Sequence, residues 1–221
     1  MRLVDLSHPL HPGASRITGE RSLKHEALSA HGGGGAGGHG STVMSGSRSV
    51  PRLVLGTHEG THVDATSYYL PEGHALEHLP LDCFFGSTQL IRIPKEPRQD
   101  ITVDDLVPFE AVLRPGGRVI ISTGWHLEYG TVRYFIEHPS ITVEAAQYLA
   151  HRKLKMLGMD TPTPGREEGV VHRILLGDTV QLALIGSLTN LDQVPGQFTF
   201  IGFPLNLPGS DGSPIRAVAA F

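Results

Sequence analysis

The chain has 221 residues, 39% hydrophobic and 18% charged, with a formal net charge of −4. That length carries one substantial core and is read as a single domain over residues 1–221, and the charge leaves no basic field for nucleic acid or an anionic membrane. Apolar runs such as Leu182-Ala-Leu-Ile185 fall far short of the ~20 residues that span a bilayer, and Asp5 and His8 interrupt the N-terminal run where a signal peptide needs an apolar core, so a cytoplasmic protein is expected.

Apolar runs of about five to eight residues, punctuated by Gly, Pro and Asp, predict a strand-rich α/β protein. The first strand is expected at Leu3–Ser7. A glycine-rich segment at residues 31–40 follows, in which so much glycine disfavours an ordered element and predicts a mobile loop. It lacks the Gly-Lys-Ser/Thr of a phosphate-binding loop, and its place before the histidine motif leaves a lid role open. Further strands are expected at Leu53–Thr57, Gln89–Ile93, Arg118–Ser122, Met156–Asp160, Thr179–Ile185 and Phe198–Pro204. A short helix is expected after Thr102, with Asp104 and Asp105 in its first turn, before Pro115-Gly-Gly117 turns the chain. The clearest helix is Val143–Lys153, capped by Thr142, with Glu144 in its first turn and Arg152-Lys153 in its last to match the helix dipole. The single cysteine, Cys83, allows no internal disulfide and reads as a buried thiol.

The stretch that carries chemistry is His58-Glu-Gly-Thr-His62-Val-Asp64, two imidazoles and a carboxylate at offsets of zero, four and six. Three such donors with open positions beside them suit a catalytic metal site; the alternative is a set of ordinary polar residues in a histidine-rich loop. Even offsets share one face of a strand, whereas on a helix Asp64 would point away from the histidines. A fully extended strand would hold the two histidine Cα atoms roughly 13 Å apart, so Gly60 is the expected bend that brings them together. The donors suit zinc, manganese or iron(II).

Several stretches together resemble the cyclase family of metal-dependent hydrolases that includes bacterial kynurenine formamidase and isatin hydrolase. They are Val4-Asp-Leu-Ser-His-Pro-Leu10, Leu55-Gly-Thr-His-Glu-Gly-Thr-His-Val-Asp-Ala65, Leu79-Pro-Leu-Asp82, Thr123-Gly-Trp125, Gly158-Met-Asp160, His172-Arg-Ile-Leu-Leu176, Leu188-Thr-Asn-Leu191 and Gly209-Ser-Asp-Gly-Ser-Pro-Ile-Arg-Ala217. The resemblance implies an α/β fold of the swivelling β/β/α type, a homodimer or homotetramer, a small-molecule substrate, and a divalent metal, zinc or manganese, held by His58, His62 and Asp64. In relatives with two ions, the residue matching Asp64 bridges to a second ion held by the residue matching His172 and by a glutamate.

This chain departs from that pattern. Thr66 and Tyr68 stand where the family has a proline and a histidine, and Gly186 stands where the second ion's glutamate is expected. One ion is therefore the simpler expectation, with His172 beside it, touching substrate, or serving as a satisfied polar group. Tyr68 titrates near pH ~10 and is a poor base at neutral pH, yet it can serve as a proton donor; its alternative is simple packing beside Tyr69. His74 and His78 offer a displaced base or are solvated loop residues. Asp160 either orients a ligand histidine or caps a turn. Trp125 either lines a substrate pocket or packs in the core, and Arg216 either meets substrate or pairs with Asp211 or another acid. Three functions remain open: hydrolysis of a small amide, lactam or formamide; a cyclase or dehydratase reaction using the metal and Tyr68; and a non-catalytic binding protein.

Overall fold

The computed structural model describes residues 1–11, 24–28, 50–167, 169–177 and 182–221, and the glycine-rich segment at 31–40 lies outside them. In chain order the strands are β1 (Leu3–Asp5), β2 (Lys24–Leu28), β3 (Val50–Val54), β4 (His62–Asp64), β5 (Phe85–Arg92), β6 (Asp100–Ile101), β7 (Arg118–Ser122), β8 (Ser140–Ile141), β9 (Met156–Met159), β10 (Ala183–Gly186), β11 (Gln197–Ile201), β12 (Gly212–Pro214) and β13 (Val218–Ala220). The helices are α1 (Val103–Leu106), α2 (Val132–Ile136), α3 (Val143–His151) and α4 (Val170–Gly177).

Nine strands form one sheet in the order β1-β13-β11-β5-β7-β9-β10-β4-β12, while β2 pairs with β3 and β6 with β8. Strands β5, β7, β9 and β10 run parallel at its centre, and antiparallel strands flank them on both sides.

The central strands read as nearly continuous apolar runs because both of their faces are covered. On one face Val119, Ile121, Leu157 and Leu184 pack with Leu106 of α1, Ala145 and Leu149 of α3, and Val171 and Leu175 of α4. On the other, Leu90, Ile120, Ala183 and Ile185 meet Val4, Phe200 and Ala219 from the flanking strands and Leu6 just beyond β1. That second core exists because the sheet curls. Ser7, just beyond β1, bridges to Leu188, just beyond β10, and the Thr189 amide donates to the Leu6 carbonyl at 3.0 Å.

Helix α3 starts where its cap predicts, with Thr142 Oγ1 accepting from the Ala145 amide at 3.1 Å. It ends at His151, before Lys153 turns left-handed at φ +51°. Thr102 and Asp105 form a reciprocal capping box at α1. The strand expected at Leu53–Thr57 lies at Val50–Val54 instead, because the chain is already entering the turn at Gly56 and Thr57. The strand expected from Thr179 is seen over Ala183–Gly186, residues 179–181 lying outside the described ones.

The strand-like reading of the histidine motif is met at β4, and the fold adds β2, β6, β8, β12, β13, α2 and α4. Gly212-Ser-Pro214 has the composition of a turn, yet it pairs with β4 in the register Gly212↔Asp64; a partner strand, not local propensity, makes it extended. Among the described residues no helix is long and apolar enough to cross a membrane.

Candidate metal centre

The histidine motif is divided between two backbone conformations. His62 and Asp64 lie on β4, where alternation gives them the same face. His58 precedes a turn in which Gly60 adopts φ +63°, a region open to glycine at little cost. That bend folds His58 back, so that one donor atom each from His58, His62 and Asp64 lies within 4.8 Å of the others.

Asp64 is the centre of the group. Its Oδ1 accepts from His58 Nδ1 at 2.7 Å and lies 3.4 Å from His62 Nε2. Its Oδ2 lies 3.6 Å from His172 Nε2, which α4 delivers from the helical side. Burial alone would raise the Asp64 carboxyl, but His62, His172 and His58 outweigh it and hold the group well below the ordinary carboxylate range. Burial opposes charge on His58 too, yet the Asp64 hydrogen bond and the Asp64 and Asp211 charges raise its pKa. Burial lowers that of His62 against the pull of Asp64.

The donor chemistry fits a divalent cation. The Gly60 carbonyl accepts from His62 Nδ1 at 2.7 Å, which fixes the tautomer and leaves the Nε2 lone pair facing Asp64. The backbone is also shaped to the rings. A Cβ on Gly186, which pairs with His62, would meet His62 Cε1 at 3.1 Å, and a Cβ on Gly212 would meet His58 Cε1 at 2.5 Å. Neither glycine adopts a positive φ; both are required for close approach. Gly186 offers no carboxylate, so a second ion of the type implied by the resemblance lacks one of its donors.

Tyr68 sits directly against the group, its ring stacked on His58 at 3.8 Å and 21° and edge-on to His172 at 5.9 Å. Tyr69 lies 4.5 Å from the His172 ring. Asp211, weighed from the sequence only as a partner for Arg216, instead lies 3.2 Å from His58 Nε2 and accepts from Thr57 Oγ1 at 3.2 Å. Its signal was its place in the Gly209–Ala217 stretch.

The remaining candidates lie elsewhere. Trp125 is buried, and its indole N–H donates to the Tyr134 carbonyl at 2.9 Å. Arg216 forms a two-pronged pair with Asp5 at 2.8 and 2.6 Å, not with Asp211. Asp160 is fully buried and accepts from the Thr123 and Gly124 amides and the Thr123 hydroxyl; its histidine neighbour is His126 at 3.4 Å, not a ligand candidate, so it caps a turn. His74 and His78 are exposed, their rings 5.9 Å apart. Glu59 went unweighed in the sequence. His58-Glu-Gly-Thr-His62 spells H-E-x-x-H, which on a helix would give a zinc site with a glutamate base, but here a turn carries it and Glu59 is not one of the three residues whose donor atoms converge.

The model of the family described as "Putative cyclase" matches residues 4–166. The chain is 26% identical to a kynurenine formamidase of Bacillus anthracis over 221 residues, covering 97% of this chain and 95% of the relative. It is equally similar to one from Bacillus cereus, at 26% identity over 222 residues. Isatin hydrolase A from Labrenzia aggregata superposes with a TM-score of 0.81 at 23% identity, over 99% of this chain and 93% of that one. A structure described as a potential metal-dependent hydrolase with cyclase activity superposes at 0.80 and 22% identity, over 99% and 96% of the two chains. These superpositions show that the fold is shared.

Proposed function

The chain belongs to the cyclase family, and from that membership we propose that it is a metal-dependent hydrolase of a small amide, lactam or formamide. The observation that carries this reading is the convergence of His58, His62 and Asp64 within 4.8 Å. A single divalent ion, zinc or manganese, held by these three residues would polarise a carbonyl and bring the pKa of a water from 15.7 towards ~7.

The chain's own groups supply the rest. Asp64, kept ionised by its three imidazole neighbours, holds the negative charge that a cation requires. Tyr68, whose ring stacks on His58, can pass its phenolic proton to a leaving nitrogen, while His172 Nε2, 3.6 Å from the other Asp64 oxygen, is placed to steady that carboxylate. A tyrosine in this position supports a second reading, a cyclase or dehydratase in which Tyr68 protonates a departing oxygen. A non-catalytic role finds less support, since all three donors are present and assembled. The exposed and mutually stacked Phe85 and Phe203, with ring centroids 6.4 Å apart, support the homo-oligomer expected from the family, which sedimentation velocity tests.

Elemental analysis after growth with zinc and manganese comes first, and less than one equivalent of metal would count against both enzyme readings. Turnover of N-formylkynurenine and isatin is then compared with His62→Ala. Hydrolysis that needs metal and is lost in the variant is the expected result; none on a broad amide and lactam panel moves the reading to the cyclase. Tyr68→Phe tests the proton donor, and unchanged turnover removes that role.

A further inference from the structure

Beside the turn that carries the metal motif lies a group of buried polar atoms that the proposed chemistry does not use. Glu59 follows His58 but packs against Gly56, whose Cβ position is 3.4 Å from Glu59 Cγ. It is 7% exposed, and its Oε2 has no hydrogen-bond partner among the described residues. His8 is 9% exposed and reaches the same turn, its amide donating to Thr61 Oγ1 at 3.0 Å. Its ring lies flat on Tyr129, with centroids 3.6 Å and planes 5° apart, and its Nε2 is likewise unpartnered. Tyr129 Oη is the third such atom, 3.9 Å from the Cβ position of Gly60. Glu59 is near enough that its charge, added to burial, pushes the Tyr129 phenol up.

Three unpartnered polar atoms in one small region are unusual, since buried polar groups nearly always find a hydrogen bond. A carboxylate only accepts, and a neutral imidazole keeps one lone pair; burial, with His126 adding to it against Asp160, keeps the His8 pKa at about 4. The neutral His8 ring and the Tyr129 hydroxyl bring one proton each, fewer than the lone pairs that the Glu59 carboxylate alone presents, so the group has more acceptors than donors. What it lacks is a group with several N–H donors, and an ammonium brings three. We propose that His8, Glu59 and Tyr129 form a subsite that receives an amino or ammonium group of the substrate, alongside the His58–His62–Asp64 centre. The subsite rests on the hydrolase reading only in calling its ligand a substrate. It narrows the substrate class to amides or lactams that also carry an amine.

Calorimetric titration of the zinc-loaded protein with benzylammonium chloride, and in parallel with benzyl alcohol, tests this without catalysis. Benzylammonium is expected to bind, with benzyl alcohol weaker by about tenfold or more, and Glu59→Gln is expected to lower benzylammonium affinity by about tenfold while zinc stoichiometry stays the same. Should Glu59→Gln fail to fold by circular dichroism, Tyr129→Phe carries the test, with weaker benzylammonium binding expected. No binding, equal binding of the two probes, or unchanged affinity in the folded variants overturns the subsite and leaves these atoms to water. Glu59-dependent benzylammonium binding in a protein that takes up no metal would keep the subsite and sink the hydrolase reading. Amide hydrolysis by a zinc protein indifferent to benzylammonium would do the reverse.

Discussion

Replacing Gly212 by alanine is expected to damage the metal centre although residue 212 offers no ligand. The added Cβ would lie 2.5 Å from His58 Cε1, 2.9 Å from His58 Nδ1 and 2.9 Å from the Val63 carbonyl oxygen. Carbon atoms in good contact sit about 3.5–4.0 Å apart, so the overlap with the ring is roughly 1 Å. Val63 cannot retreat, because it pairs with Ser213 on one side and Ile185 on the other. The His58 ring must swing instead. A ring ~30° off its rotamer costs about 1 kcal/mol, and leaving the 2.7 Å bond to Asp64 forfeits about 2 kcal/mol for a charge-assisted contact. Metal binding has to recover that ~3 kcal/mol, which corresponds to roughly a hundredfold loss of affinity. Gly186→Ala is the graded comparison: its contacts with His62 Cε1 and the Pro162 carbonyl are both 3.1 Å, and a shift of a few tenths of an ångström should cost less than tenfold. Competition against a chromogenic zinc chelator measures both variants, with circular dichroism as the check on folding. A folded Gly212→Ala protein that binds zinc as tightly as the parent would refute the close-approach reasoning.

Other consequences concern stability. The His8 pKa of about 4 lies below its ordinary 6.5, so the unfolded chain takes up the proton first. Stability is therefore complete above pH ~6.5, falls between pH ~6.5 and ~4, and loses at most about 3 kcal/mol from this group; urea melts across that range should show a shallower loss in His8→Asn. Asp160→Ala strands the Thr123 and Gly124 amides that the carboxylate now accepts from, and should destabilise the fold by about 3 kcal/mol in the same melts. Thr142→Ala removes the 3.1 Å cap of α3 and should cost about 1 kcal/mol; a change below a few tenths would show that packing against the sheet, not the cap, sets where that helix begins.

Local chemistry explains why parts of this protein can be read without a structure. Thr142 caps α3 through contacts within three residues, and the runs at Arg118–Ser122 and Met156–Met159 form central strands because continuous apolar character suits only a sheet covered on both faces. The metal motif is legible for the same reason: His62 and Asp64 share a strand face by alternation, and Gly60 bends the chain that returns His58. What lay beyond the sequence depends on residues far apart in the chain. Gly212–Pro214 becomes a strand only because β4 needs a partner there, and Arg216 chooses Asp5, leaving Asp211 to face His58. Trp125 goes to the core because the Tyr134 carbonyl takes its N–H. His172 reaches Asp64 because α4 packs across the sheet, and Tyr68 stacks on His58 because the turn after β4 folds it back. The sequence by itself determined the donors, the bend and the family pattern, since each is a property of neighbours along the chain. The tertiary structure alone decided that two glycines shape the imidazole cradle and that His8, Glu59 and Tyr129 share a buried flank of it, because close approach and shared burial are set by strand register and sheet curl, which no local pattern encodes.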